Sequence, residues 1–121
     1  MGTKNPNTSK NSNGSKGRKA ATTVLQINLQ HSVAATTELC KRTELMETFV
    51  ALVQEPWIVD NSIRGLSKRG LHSYAGPKPR ACILASANLR LWELPQFCDR
   101  DCMAVTIKWR DTEAILASVG G

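Results

Sequence analysis

Asn28 and Glu55 are the two side chains best placed to do chemistry in this chain. Asn28 lies in Val24-Leu25-Gln26-Ile27-Asn28-Leu29, and Glu55 follows Phe49-Val50-Ala51-Leu52-Val53-Gln54. Each run is rich in strand-forming residues and ends on one conspicuous polar group. An amide oxygen and a carboxylate are hard donors of the kind a divalent cation takes. The two stand 27 positions apart, so only folding can join them. The plainer alternative is that Asn28 caps a turn and Glu55 is an exposed strand terminus. Against it, Glu55 directly follows a buried run and is held in Gln54-Glu55-Pro56-Trp57, where an unpaired charge is costly.

The elements that would position them are legible. Leu25, Ile27 and Leu29 alternate with Gln26 and Asn28, the period of a strand with one face in a core. Ser32 offers an N-cap, and Val33 to Met46 has helical spacing, with Glu38 and Arg42 at i and i+4. Phe49 to Val53 is continuously apolar, as in a strand covered on both faces, and Pro56 ends it. A strand, a crossover helix and a parallel strand put both strand ends on one edge of a sheet. That geometry brings Asn28 to Glu55.

The rest of the chain reads as a meander. Residues 60–70 are polar and read as a surface loop, and 71–75 as a short strand. Residues 76–79 make a turn. Ala81 to Ser86 and Leu89 to Leu94 read as two strands joined by a tight turn at Ala87-Asn88. Met103 to Trp109 alternates cleanly, Arg110-Asp111-Thr112 turns, and Glu113 to Val119 returns. The fold class is α/β with a mixed sheet, one βαβ unit and a β-meander. No helix follows the last strand to cover its sheet, so one apolar face is expected to be bare, as in a truncated domain of marginal stability.

With 121 residues the chain holds at most one modest domain. Residues 1–23 contain no Val, Ile, Leu, Phe, Trp or Tyr, and are expected to be disordered. They carry Lys4, Lys10, Lys16, Arg18 and Lys19 and no acid, out of a net charge of +6 for the whole chain. Residues 24–121 are nearly neutral, with 11 basic and 10 acidic residues. A basic tail is drawn to polyanions in a salt-dependent way; a solubilising leader is the bland alternative. The tail has no apolar core of a secretory signal, and no run of 18 apolar residues exists to span a membrane. The expected compartment is the nucleus or cytoplasm, with Cys40, Cys82, Cys98 and Cys102 as free thiols.

Two phrases carry a resemblance. Leu25-Gln26-Ile27-Asn28-Leu29-Gln30-His31-Ser32, with the Ala-rich helix behind it, and Ala51-Leu52-Val53-Gln54-Glu55-Pro56-Trp57 resemble the start of the endonuclease domain of a non-LTR retrotransposon, of the R1-like and Jockey-like kind. The similarity runs from about Val24 to Val119, through Pro79-Arg80-Ala81-Cys82-Ile83-Leu84 and Asp101-Cys102-Met103-Ala104-Val105. Such domains belong to the endonuclease/exonuclease/phosphatase superfamily, with DNase I. The resemblance implies the N-terminal part, residues 24–121, of a four-layered DNase I-like α/β sandwich. It also implies hydrolysis of a DNA phosphodiester with Mg²⁺, or Mn²⁺ in its place, and a reverse transcriptase in the same polyprotein. It assigns metal binding and catalysis to Glu55, and orientation of the phosphate and metal-bound oxygen to Asn28.

The departures from that pattern matter. The strand Ile115-Leu116-Ala117-Ser118-Val119 would continue into a phosphate-contacting Tyr; Gly120 and Gly121 stand there. The later Asp-x-Asn and Ser-Asp-His elements are absent, so the chain alone is expected to be nearly inactive. His31, Arg64, Lys68, Arg69 and Arg80 are candidates for DNA contact, solvated loop positions being the alternative. Trp57, Trp92 and Trp109 are expected in the core, with base stacking as their other use. Two other functions stand beside the nuclease: a non-catalytic nucleic-acid-binding fragment acting through the tail, and another hydrolase, phosphatase-like, of the same superfamily.

Overall fold

A computed structural model describes residues 22–120. The basic stretch with Lys4, Lys10, Lys16, Arg18 and Lys19 therefore lies outside the described residues, except that Thr23 already belongs to the first strand. Along the chain run β1 (Thr23–Asn28), α1 (Val33–Glu44), β2 (Phe49–Gln54), β3 (Ile58–Val59), β4 (Ser62–Ile63), β5 (Leu71–Ser73), β6 (Ala81–Ala85), β7 (Arg90–Glu93), β8 (Cys102–Trp109) and β9 (Thr112–Val119). A single 3₁₀ turn, Pro95–Phe97, separates β7 from β8. No helix among the described residues is long and apolar enough to cross a membrane.

The βαβ unit forms as the periodicity predicts. Ser32 sits in extended backbone and its Oγ accepts from the Ala35 N–H at 3.1 Å, so α1 starts at Val33. The helix ends at Glu44, two residues earlier than its apolar spacing suggests, with the Leu45 N–H on the Arg42 carbonyl and the Met46 N–H on that of Thr43. β1 and β2 pair in parallel, with Asn28 opposite Gln54. β6 pairs antiparallel to β2, and β5 to β6, which gives a four-stranded mixed sheet in the order β1-β2-β6-β5.

The meander, by contrast, divides between two sheets. β6 joins the first, whereas β7, β8 and β9 form a separate three-stranded antiparallel sheet in the order β9-β8-β7. Ala81 to Ser86 and Leu89 to Leu94 are thus not hairpin partners. The chain crosses from one sheet to the other between them, held by the Phe49 N–H on Ser86 Oγ at 3.0 Å and Asn88 Nδ2 on Thr48 Oγ1 at 2.8 Å. The polar 60–70 segment contains β4, which pairs with β3 across Asp60-Asn61. Both turn residues have φ above +50°, as a two-residue hairpin turn requires.

Three layers result. α1 packs on one face of the first sheet through Leu39, Leu29, Ala51 and Val53. The second sheet covers the other face through Val50, Ile83, Met103 and Val105. Leu29 and Leu39 are essentially fully buried, and each contributes about 1.5–3 kcal/mol of transfer free energy. Two tryptophans depart from expectation: Trp92 and Trp109 are 48% and 38% exposed. They stand on the outer strand β7 and at the end of β8, where little packs over them, and Arg110 lies over the Trp109 ring at 4.8 Å.

Candidate active site and basic cleft

Asn28 and Glu55 are brought to one rim of the first sheet by the β1–β2 register. Asn28 faces Gln54 across a parallel ladder, and Glu55 is the next residue. The ladder continues past both strand ends: the Leu29 N–H donates to the Gln54 carbonyl and the His31 N–H to the Glu55 carbonyl, each at 2.9 Å. On its other side the Glu55 N–H donates to the Arg80 carbonyl at 3.0 Å. The Glu55 backbone is therefore fixed from both neighbours, while its residue is only partly buried. Asn28 is exposed, and its Oδ1 accepts from the Gln30 N–H at 2.8 Å. The turn-capping role weighed for Asn28 is thus real, and it orients the amide.

Backbone strain concentrates at this rim. Gln30, His31, Glu55 and Lys78 have φ between +49° and +57° without being glycine. Such left-handed residues each cost on the order of 1–2 kcal/mol, and they persist where surrounding structure over-determines them, often at functional sites. His31 shows how. Besides its backbone bond to Glu55, its Nδ1 lies 2.9 Å from the Pro56 carbonyl. A carbonyl can only accept, so Nδ1 is the donor in this contact.

Gln54 and Ser118 support the rim from below, and sequence reasoning did not single them out. Gln54 is 8% exposed; its Nε2 donates to Ser118 Oγ at 2.9 Å. Ser118 is fully buried and donates in turn to the Val53 carbonyl at 2.7 Å. This chain of bonds ties β9 of the second sheet to β2 of the first directly behind Glu55. The continuous apolar run that precedes Gln54 signals its burial; nothing local marks Ser118.

Of the candidate DNA contacts, His31 and Arg80 share a cleft of about 430 Å³, which Lys78 and Arg100 also line. Arg100 reaches it because the Arg80 N–H donates to the Arg100 carbonyl at 2.7 Å and Arg100 Nε to the Lys78 carbonyl at 3.3 Å. Sequence reasoning singled out neither Lys78 nor Arg100; the place of Lys78 two residues from Arg80 is the signal that could have found it, and Arg100 has none. Arg80 also pairs with Asp101 at 3.3 Å, both half exposed, a contact worth little on its own. Lys68 and Arg69 lie elsewhere. They precede Gly70, whose carbonyl accepts from Ala85, and Arg69 lines a groove with Phe49 at the start of β2. That is the opposite end of the strand from Glu55, about 20 Å away at strand rise. The loop runs back along the sheet to start β5 antiparallel, which is why they are carried off. Arg64 is exposed, with its N–H on the Trp57 carbonyl at 2.9 Å.

Among the described residues, no three His, Cys, Asp or Glu side chains cluster as a metal cage. One carboxylate beside an amide instead suits Mg²⁺, which keeps several waters and takes substrate phosphate oxygens as ligands.

No family model and no curated protein matches the chain. Among solved structures, the endonuclease domain of TRAS1, a telomere-specific non-LTR retrotransposon, is similar with a TM-score of 0.63 and 28% identity, over 79% of this chain and 42% of that one. The chain thus spans less than half the length of that solved domain. The resemblance carried by the Asn28 and Glu55 phrases is borne out: this chain is similar to part of a non-LTR retrotransposon endonuclease domain and has its DNase I-like α/β fold.

Proposed function

We propose that this chain supplies the Asn28–Glu55 rim of a Mg²⁺-dependent site that hydrolyses a DNA phosphodiester, as in target-site nicking by a complete retrotransposon protein. The observation that carries the reading is the parallel register that sets Glu55 one step beyond the Asn28–Gln54 pair. Glu55 would hold the cation, with Mn²⁺ as an alternative to Mg²⁺, and the cation would stabilise the charge that develops on the phosphate oxygens. With Asn28 Oδ1 engaged by Gln30, its NH₂ is the group left to donate to a phosphate oxygen. Lys78, Arg80 and Arg100 would hold the flanking backbone, which positions DNA without reading its sequence.

Only two of the usual catalytic groups are in the sequence. General acid–base help is worth roughly 10²–10⁴-fold, so the chain alone should nick plasmid DNA at most at trace level. Cation binding is the sharper test. Mn²⁺ added to the full chain should broaden the NMR signals of residues 28–31 and 55, and Glu55→Ala should abolish this. Broadening centred anywhere else would overturn the reading.

A second reading has its own support: five basic residues in 1–19 and a cleft with three more. DNA binding that persists in EDTA and vanishes on removal of residues 1–21 would favour a non-catalytic nucleic-acid-binding fragment.

A further inference from the structure

We propose that Asp101 sets which phosphate the basic cleft accepts. It turns the cleft toward the singly charged phosphodiester of a nucleic-acid backbone and away from the doubly charged phosphate of a strand end. The inference rests only on that part of the proposed function that gives Lys78, Arg80 and Arg100 a phosphate to hold.

Asp101 is a fixed group. It lies in the two-residue turn Arg100-Asp101, closed by the Asp99 N–H on the Cys102 carbonyl at 2.9 Å and the Cys102 N–H on the Asp99 carbonyl at 3.3 Å. The Asp101 N–H donates to Asp99 Oδ1 at 2.8 Å. Its carbonyl accepts from the Gly120 N–H at 2.7 Å, just past the end of β9. The same turn is tied to β6, because the Arg80 N–H donates to the Arg100 carbonyl at 2.7 Å. The carboxylate is thereby held beside Arg80, whose Nη1 lies 3.3 Å from Asp101 Oδ1. Among the described residues, Asp101 is the one acid in an ion pair with a cation of the cleft; the other pairs join Arg42 to Glu38 and His72 to Glu93.

The pair is weak enough to yield. Both side chains are about half exposed, and an exposed pair is worth a factor of at most about five. A guanidinium has five N–H donors in a planar fork, and the contact with Asp101 is made at Nη1. The rest of the fork is left for a phosphate, with the carboxylate still pinned beside it.

Phosphate and carboxylate then repel each other across one guanidinium. At contact range in water a pair of like unit charges costs roughly a factor of five. A diester meets this cost once; a terminal phosphate, which carries nearly two charges, meets it about twice. Three cations alone would favour the doubly charged end, and the fixed acid offsets that preference by repelling the wrong ligand. A cleft so biased follows an unbroken backbone and is not captured by strand ends.

The test uses the full chain in EDTA with two probes, dimethyl phosphate for the backbone and methyl phosphate for the end. Ionic strength is held constant, at about pH 8, where methyl phosphate is doubly charged. The readout is the NMR shift of the Arg80 and Arg100 Nε–H signals, which reports the cleft apart from the basic tail. Asp101→Asn should raise the affinity for methyl phosphate relative to dimethyl phosphate by about two- to fivefold. Asp101→Glu keeps the charge and should keep the wild-type ratio. On an Arg80→Gln background, read at Arg100, Asp101→Asn should move the ratio by less than about 1.5-fold, because the phosphate no longer shares a guanidinium with the acid. An unchanged ratio in Asp101→Asn, equal weakening of both probes, or an undiminished change without Arg80 would each overturn the inference. Absence of any shift at Arg80 and Arg100 with either probe would overturn the basic cleft together with it, whereas loss of Mn²⁺ binding at Glu55 would sink the hydrolytic reading alone.

Discussion

Gln54 Nε2 donates to Ser118 Oγ at 2.9 Å across the interface between the two sheets, one residue behind Glu55. Both groups are buried, so neither has water as a substitute partner. Ser118→Val should leave the Gln54 amide under-bonded and cost about 1–3 kcal/mol, read as a lower urea midpoint at unchanged slope.

Glu55 should behave in the opposite way. It is only partly buried and its fixed contacts are backbone ones. Glu55→Gln keeps those contacts, so stability should change by less than about 0.5 kcal/mol. Titration calorimetry with Mn²⁺ should show at least about a tenfold weaker affinity, the loss of one charged ligand.

Gly120 is a packing requirement. Its N–H donates to the Asp101 carbonyl at 2.7 Å, and a Cβ there would lie 2.4 Å from the Arg80 carbonyl oxygen. That neighbour is backbone and yields only if β6 shifts. Gly120→Ala should therefore cost about 1–3 kcal/mol, and a fall in melting temperature of about 4–8 °C per kcal/mol checks it.

Cys82 gives a pH dependence. Burial pushes its thiol from an ordinary 9.0 up to about 12. The unfolded thiol ionises first, so the native state loses stability as pH rises from about 9 to about 12, by about 1.4 kcal/mol per unit. Below pH 9 the contribution is intact. Alkaline melts should show this slope, Cys82→Ala should flatten it, and thiol reagents at pH 8 should leave Cys82 unlabelled until the chain unfolds.

The βαβ unit was legible because each part has a local cause: alternation in β1, the Ser32 cap, a continuous apolar run in β2. The division into two sheets was not. The apolar content of Ala81 to Ser86 says that it is buried, but not that it pairs with β2 and β5 instead of its neighbour in sequence. The site followed the same rule. Asn28 and Glu55 could be joined by topology alone, whereas Arg100 reaches the cleft through a backbone bond to Arg80, and Ser118 reaches Gln54 across 64 residues. Such long-range pairings leave no local mark. Trp92 and Trp109 were misjudged because strand membership reveals neither that β7 lies at the edge of its sheet nor that Trp109 falls at the very end of the central strand β8.

The division of labour between Gln54 and Glu55 bears on how chains related to this one would diverge. The sealed amide carries the architecture, while the wetted acid one position later carries none of it. A lineage could lose its acid and keep its shape, so an intact fold among relatives would say nothing of the proposed cation site, whereas erosion at Gln54 would mark the collapse of the scaffold itself.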